Sequence, residues 1–108
     1  MTAPHPNYTI KNRQIVAETD DMRMTQFQLG VGESIPWHLH TEVTDWHICL
    51  EGEMRVETSP GSAVDLSPGG MFDVPPKTAH RIVNSGAGDC SFVIVQGVGA
   101  YDFLVLEE

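Results

Sequence analysis

The chain has 108 residues, six basic against fifteen acidic, and a net charge of −9; that is core enough for one domain, with a surface that repels phosphate backbones and anionic membranes. Nucleic-acid and membrane partners are therefore not expected, and no run of about 18 apolar residues is present to span a bilayer. Charged residues are only 19% and aromatics 7%, while ten glycines and seven prolines interrupt the chain, a composition of short strands and frequent turns that predicts an all-β domain.

Residues 1–7 carry two prolines and an asparagine and read as a flexible N-terminal arm ahead of a single domain over residues 8–108; His5 lies in that arm and is expected to play no part. The opening "MTAPHPNYTI" lacks the basic and apolar regions of an export signal, so a cytoplasmic protein is expected, with Cys49 and Cys90 as small buried hydrophobes and no disulfide. "YTIKNRQIVAE" and "MRMTQFQLG" then read as two extended segments parted by the turn "TDD". Gly30 and Gly32 predict a turn or bulge before "ESIPWHLH", where Pro36 suggests an edge or a strand start. "DWHICLEGEMRVET" reads as two alternating runs hinged as a hairpin at Gly52. The turn-rich patch from 59 to 70 encloses a short run from Ala63 to Leu66, and "MFDVPPKTAHRIVN" follows. Last come the strongly apolar "CSFVIVQGVG" and a strand candidate "YDFLVLEE". No segment sustains a helical apolar stripe, and eight to ten short strands predict a small sandwich or barrel.

The chemistry concentrates in "WHLHTEVTDWHICLEGE", residues 37 to 53, which hold three of the five histidines. In an extended chain His38 and His40 point to one side, about 7 Å apart, as do Asp45, His47 and Cys49 beyond the "TEVT" connection. Were the two strands to pair as neighbours, all five side chains would look into one space. His80 stands where two prolines give way to a new strand. A His-x-His pair alone is commonly a surface or hydrogen-bonded feature, but three imidazoles and a carboxylate suit a divalent Zn, Fe, Ni, Mn or Cu ion with coordination positions left open.

The spacing Gly32, five residues, His38, one residue, His40, four residues, Asp45, six residues, Gly52 resembles the first motif of the cupin family, with aspartate where that family usually has glutamate. Gly69, five residues, Pro75, four residues, His80, three residues, Asn84 resembles the second, with Lys77 where a glycine is usual. The two motifs cover residues 32 to 84, about half the chain. The resemblance implies a small single-domain cupin, a double-stranded β-helix (jelly-roll) barrel, with His38, His40, His80 and Asp45 as ligands of a divalent metal ion near one mouth.

Aspartate is one methylene shorter than glutamate, so Asp45 is expected to reach the ion by a backbone adjustment or through water, or to orient a neighbour instead. His47 is the other candidate for the fourth position, or an acid-base group beside the ion; Asp45 and His47 are thus the candidate catalytic residues. Cys49 is expected to pack, and Glu42 to be solvated. Trp37 and Trp46 should face away from the histidines, toward the outer sheet or a subunit interface. Gln26, Arg55, Arg81 and Gln96 are candidates to meet an acidic or hydroxylated substrate. The expected function is a metal-dependent enzyme acting on a small organic substrate by dioxygenase, isomerase, decarboxylase or lyase chemistry; the alternative is a non-catalytic binding or sensing barrel with weak metal or none. The final apolar run "FVIVQGVGAYDFLVL" suggests a homodimer.

Overall fold

The computed structural model describes residues 9–106. The arm at 1–7, with His5, lies outside them, as do Tyr8, Glu107 and Glu108. Ten strands follow in order: β1 (Asn12–Glu18), β2 (Met22–Leu29), β3 (Ser34–Leu39), β4 (Thr44–Glu51), β5 (Met54–Thr58), β6 (Ser62–Leu66), β7 (Met71–Val74), β8 (His80–Asn84), β9 (Cys90–Gly97) and β10 (Leu104–Val105). They form two antiparallel five-stranded sheets, β1-β2-β9-β4-β7 and β10-β3-β8-β5-β6. Among the described residues there is no helix, and none long and apolar enough to cross a membrane.

Two predicted pairings are corrected. β4 and β5 make no hairpin at Gly52 but lie in opposite sheets, and β3 and β4 likewise face each other instead of pairing. The reason at Gly52 is steric. Its φ is +73°, and a Cβ there would lie 2.5 Å from the Asp89 carbonyl oxygen, so the β8–β9 corner packs onto this one and the chain leaves for the other sheet. Only β1–β2 and β5–β6 are sequential hairpins within a sheet; the other connections cross between sheets, which is the jelly-roll arrangement. "YDFLVLEE" supplies only the two-residue β10, because Tyr101, Asp102 and Phe103 leave the sheet. β9 is the central strand of its sheet, and Pro36 falls where β3 slips register against β8, between Ile35 and His38.

Alternation along each strand divides the interior by depth. Across the first sheet Arg23, Gln96, Asp45 and Val74 form one row; Thr25, Ile94, His47 and Phe72 the next; Phe27, Phe92 and Cys49 the third. The rows therefore run from polar at one end to apolar at the other. Phe27 and Phe92 stack with centroids 5.3 Å apart, joined by Leu29, Met54 and Ile82, none more than 7% exposed. Each of these large side chains stabilises the fold by about 1.5 to 3 kcal/mol through burial. The apolar end thus holds the barrel shut while the polar end is released for other work.

Lys77 has φ +63°, the one positive value at a non-glycine among the described residues, and it stands where the cupin pattern has glycine. Its N–H donates to the His40 carbonyl at 2.7 Å, which ties the turn before β8 to the end of β3.

The Gly52 corner is testable by urea unfolding. Gly52→Ala should cost more than about 2 kcal/mol, because left-handed strain adds to a clash with backbone, whereas Gly61→Ala, with φ +77° and open space at its Cβ, should cost only about 1 kcal/mol. Equal losses would mean that the corner does not pack as described.

Candidate metal centre

The second sheet supplies three histidines. His38 sits directly opposite His80 across the β3–β8 ladder, and His40 follows β3 at once. The first sheet supplies Asp45 from β4, and all four are buried. Each of the three imidazoles is steered by a main-chain carbonyl: His38 Nδ1–H donates to Pro36 O at 2.7 Å, His80 Nδ1–H to Thr78 O at 2.9 Å, and His40 Nδ1–H to Asp102 O. A proton committed at Nδ1 leaves Nε2 as a lone pair aimed inward.

Those atoms converge on Asp45. Its Oδ2 is 3.0 Å from His40 Nε2 and 3.0 Å from His80 Nε2. The one ligand atom that each of His38, His40, Asp45 and His80 offers lies within 4.8 Å of the others. Lone pairs facing a carboxylate at hydrogen-bond distance repel unless a cation, either a proton or a metal ion, lies between them. Asp45 Oδ1 is buried with no hydrogen-bond partner, a spare acceptor beside the cluster. Donor type, separation and spare acceptor together fit a divalent ion that takes nitrogen and oxygen ligands.

The remaining candidates divide. His47 enters the same space one row deeper: its Nδ1–H donates to Phe72 O at 3.2 Å, and its Nε2, 4.0 Å from Asp45 Oδ2, has no hydrogen-bond partner. Gln96 also arrives, its amide 3.4 Å from His40 Nε2. Cys49 belongs to the apolar core instead. Arg55 pairs with Asp65 at 2.8 Å in solvent, Arg81 pairs with Glu57 at 2.6 Å beside the Trp37 ring, and Gln26 is exposed on the outer face; none of the three meets the cluster. Glu42 is exposed as expected, yet it also accepts from Ala100 N–H at 3.2 Å.

Four contributors were not foreseen. Asp102 accepts from Thr41 N–H and Oγ–H at 2.9 and 2.6 Å while its carbonyl holds His40. Phe103 stacks on His38 at 4.4 Å, the Tyr101 ring lies 5.4 Å from His40, and Arg23 is buried beneath Tyr101. The available signal was the interruption of an apolar run by Asp102, and an arginine where the alternation of β2 points inward.

Residues 25–96 match the cupin domain family. No curated protein matches the chain. Among solved structures, an uncharacterized conserved protein with a double-stranded β-helix domain from Klebsiella pneumoniae is 26% identical, with 96% of this chain and 90% of that one covered and a TM-score of 0.82. KdgF from a Halomonas species is 27% identical over 80% of this chain and 78% of that one, with a TM-score of 0.73. An oxalate oxidase, 17% identical over 80% of this chain and 46% of that one at a TM-score of 0.73, shares the fold.

Burial and neighbouring charge set the protonation of the cluster. Burial first, and then His80, hold His38 down to about 3; burial also holds His47 down to about 4. Burial opposes the charge on His40, but the bond to Asp45 and the nearby Asp102 prevail and raise it. Asp45 is buried too, yet its bonds from His40 and His80 hold it well below the usual carboxylate range.

In the metal-free protein the signs follow. Below pH 6.5 the unfolded chain protonates His38 and His47 while the folded one does not, so stability falls on acidification. The contribution of His40 is complete below pH 6.5 and is lost as pH rises through its folded value. That of Asp45 is complete above pH 4, so it is constant across this window. Chelator-treated protein should lose stability between pH 7 and pH 5.5 in urea unfolding, by about 2.5 kcal/mol from His38 and His47 together less what His40 returns, a net loss of about 1 to 2 kcal/mol. An unchanged midpoint over that range would show that these two imidazoles are not buried in neutral form.

Proposed function

The chain belongs to the cupin domain family, and from that premise we propose that His38, His40, His80 and Asp45 hold a divalent metal ion and that the protein is a metal-dependent enzyme acting on a small organic carboxylate or hydroxylated substrate. The observation that carries this reading is the convergence of three carbonyl-anchored imidazoles and one unexposed carboxylate within 4.8 Å. Zn, Fe, Ni, Mn and Cu all accept this donor set. Bound there, the ion supplies a Lewis acid that polarises a substrate oxygen.

The chain's own residues supply the rest. His47, neutral at pH 7, offers an unpartnered Nε2 as a proton acceptor next to the ligands. Gln96 presents an amide that orients an oxygen-bearing substrate beside His40. Phe103 and Tyr101 cover the histidines and limit water. Dioxygenation, isomerisation, decarboxylation and elimination each draw on these parts. A second reading, a binding or sensing barrel with weak metal, is favoured by one observation: Asp45 bridges His40 and His80 on its own, so a proton can stand in for the ion. Both cysteines are free and buried, which supports a cytoplasmic enzyme.

Elemental analysis separates the readings. Wild type supplied with Zn, Fe, Mn, Ni and Cu in turn should retain about one equivalent of at least one of them, and His38→Ala and His80→Ala should lose it. Wild type that stays empty throughout would sink the enzyme reading. His47→Gln should keep the metal, which places His47 outside the ligand set; loss of the metal would place it inside.

We also propose a homodimer through the outer face of the first sheet. There, across β2, β9, β4 and β7, Met24, Val95 and Trp46 share one row with Asp73, and Val93, Ile48 and Met71 the next with Gln26, six apolar residues out of eight where a solvated sheet would carry mostly polar ones. Met71 is 62% exposed and Leu50 beside it 43%. Light scattering should give about twice the 11.9 kDa chain mass, and Ile48→Glu should halve it. A monomeric wild type would exclude this interface.

A further inference from the structure

Arg23 is 5% exposed, and its Nε and Nη2 have no hydrogen-bond partner. The nearest carboxylate, Glu18 on the exposed edge strand, comes only to 3.9 Å of Nε, too far for a hydrogen bond. The Tyr101 ring lies 4.2 Å from the guanidinium carbon and covers one face of the cation. A buried guanidinium with two unmet donors is costly, and its planar edge matches a carboxylate.

The place of Arg23 in the barrel gives that cost a use. It faces Gln96 directly across the β2–β9 ladder, and Gln96 faces Asp45 across β9–β4. Arg23 and Asp45 thus stand two strand spacings apart, roughly 10 Å between backbones, on the same inner face. A cavity of about 420 Å³ is lined by Arg23, Gln96, Tyr101 and Val43, and so reaches from the cation to the side chain that touches His40.

We propose that Arg23 is the carboxylate anchor of the site: a small organic acid enters this cavity, pairs its carboxylate with the guanidinium, and extends its reacting end past Gln96 to the histidine cluster. The proposal rests on reading that cluster as the reacting centre. Glu18 stands 3.9 Å from the anchor's Nε in the resting protein without bonding it, and the incoming carboxylate takes the place beside the guanidinium. Glu18 and Asp20 at the mouth oppose anions, but both are exposed and act through water, where the effective dielectric is high. The same two charges, with a net −9 overall, select a singly charged carboxylate over a dianionic phosphate.

The test is calorimetric binding, at pH 8, of the monoanions glycolate, lactate, pyruvate and gluconate, each against its neutral amide, with inorganic phosphate, mainly dianionic at that pH, as the competing anion. It uses both chelator-treated and metal-supplied protein. At least one acid should bind both forms while its amide does not. Arg23→Gln should weaken it at least about 10-fold, Arg23→Lys should keep part of the affinity, and Glu18→Ala, at an exposed position, should strengthen it about 3-fold. Arg23→Gln should also melt no lower than wild type, since it removes an unpaired buried charge. If Arg23→Gln fails to fold, Arg23→Lys and Glu18→Ala decide the matter. The proposal is overturned if no acid binds wild type, if the folded Arg23→Gln binds within 2-fold, if Glu18→Ala leaves affinity unchanged, or if phosphate binds as tightly as the best acid. Metal uptake is scored separately: a wild type that binds acid but no metal leaves the anchor standing and removes the metal reading, and the converse removes the anchor alone.

Discussion

One carboxylate with no exposed surface, Asp45, governs this protein. Its charge is withdrawn from water at a cost of several kcal/mol, and what offsets the cost comes from the other sheet: His40 and His80 at 3.0 Å each. The two sheets are therefore held in register at this end by an electrostatic contact, not by apolar packing. That contact demands that the imidazoles be aimed, and the carbonyls of Pro36, Thr78 and Asp102 aim them. The loops that bear those carbonyls are fixed in turn. The Lys77 N–H ties the turn before β8 to the His40 carbonyl, and the Asp102 carboxylate clamps Thr41.

The opposite end explains how such an arrangement survives. Four imidazoles, a carboxylate, a guanidinium and an amide lie inside a small barrel, and none of them adds to the apolar burial that closes it. Phe27, Leu29, Met54, Ile82 and Phe92 supply that burial in the rows beyond. The division follows the strands themselves. On β2 and β4, and in reverse on β9, inward positions change from polar to apolar along the strand, so one pattern of alternation builds a site and a core from the same elements.

Much of this was legible because it is local. His38 and His40 share a face through the strand period, as do Asp45 and His47, and both pairs point inward as expected. Asp45 Oδ2 stands 3.0 Å from both His40 and His80, and β4 faces β3 and β8 across the interior instead of lying beside β3. That same fact defeated the expected neighbour pairing and the hairpin at Gly52. A two-residue period tells which residues share a face, but not which sheet takes the strand. Lys77 shows the converse, since a position marked as a departure in the motif keeps the left-handed backbone that glycine would have favoured. Arg23, Asp102 and Phe103 were missed because each acquires meaning only from a partner far along the chain. The alternation of β2 puts Arg23 on the face of Phe27 and Leu29, but the use of an inward arginine at a strand end shows only once Gln96 and Tyr101 stand beside it.

The difference between Asp45 and His47 is one of depth. Asp45 lies in the row of Arg23 and Gln96, and its Oδ2 is already shared between His40 and His80. His47 lies one row further in, beside Thr25 and Ile94, with its Nδ1 fixed on the Phe72 carbonyl. Its surroundings are too apolar to favour a cation, which is why burial keeps it neutral at physiological pH. In the proposed centre, a neutral imidazole with a fixed tautomer and an unpartnered nitrogen toward the cluster is better suited to receive a proton than to take the place of Asp45 in the shell. In the proposed enzyme the shortened carboxylate therefore serves as ligand and charge balance, and the deeper histidine carries the proton.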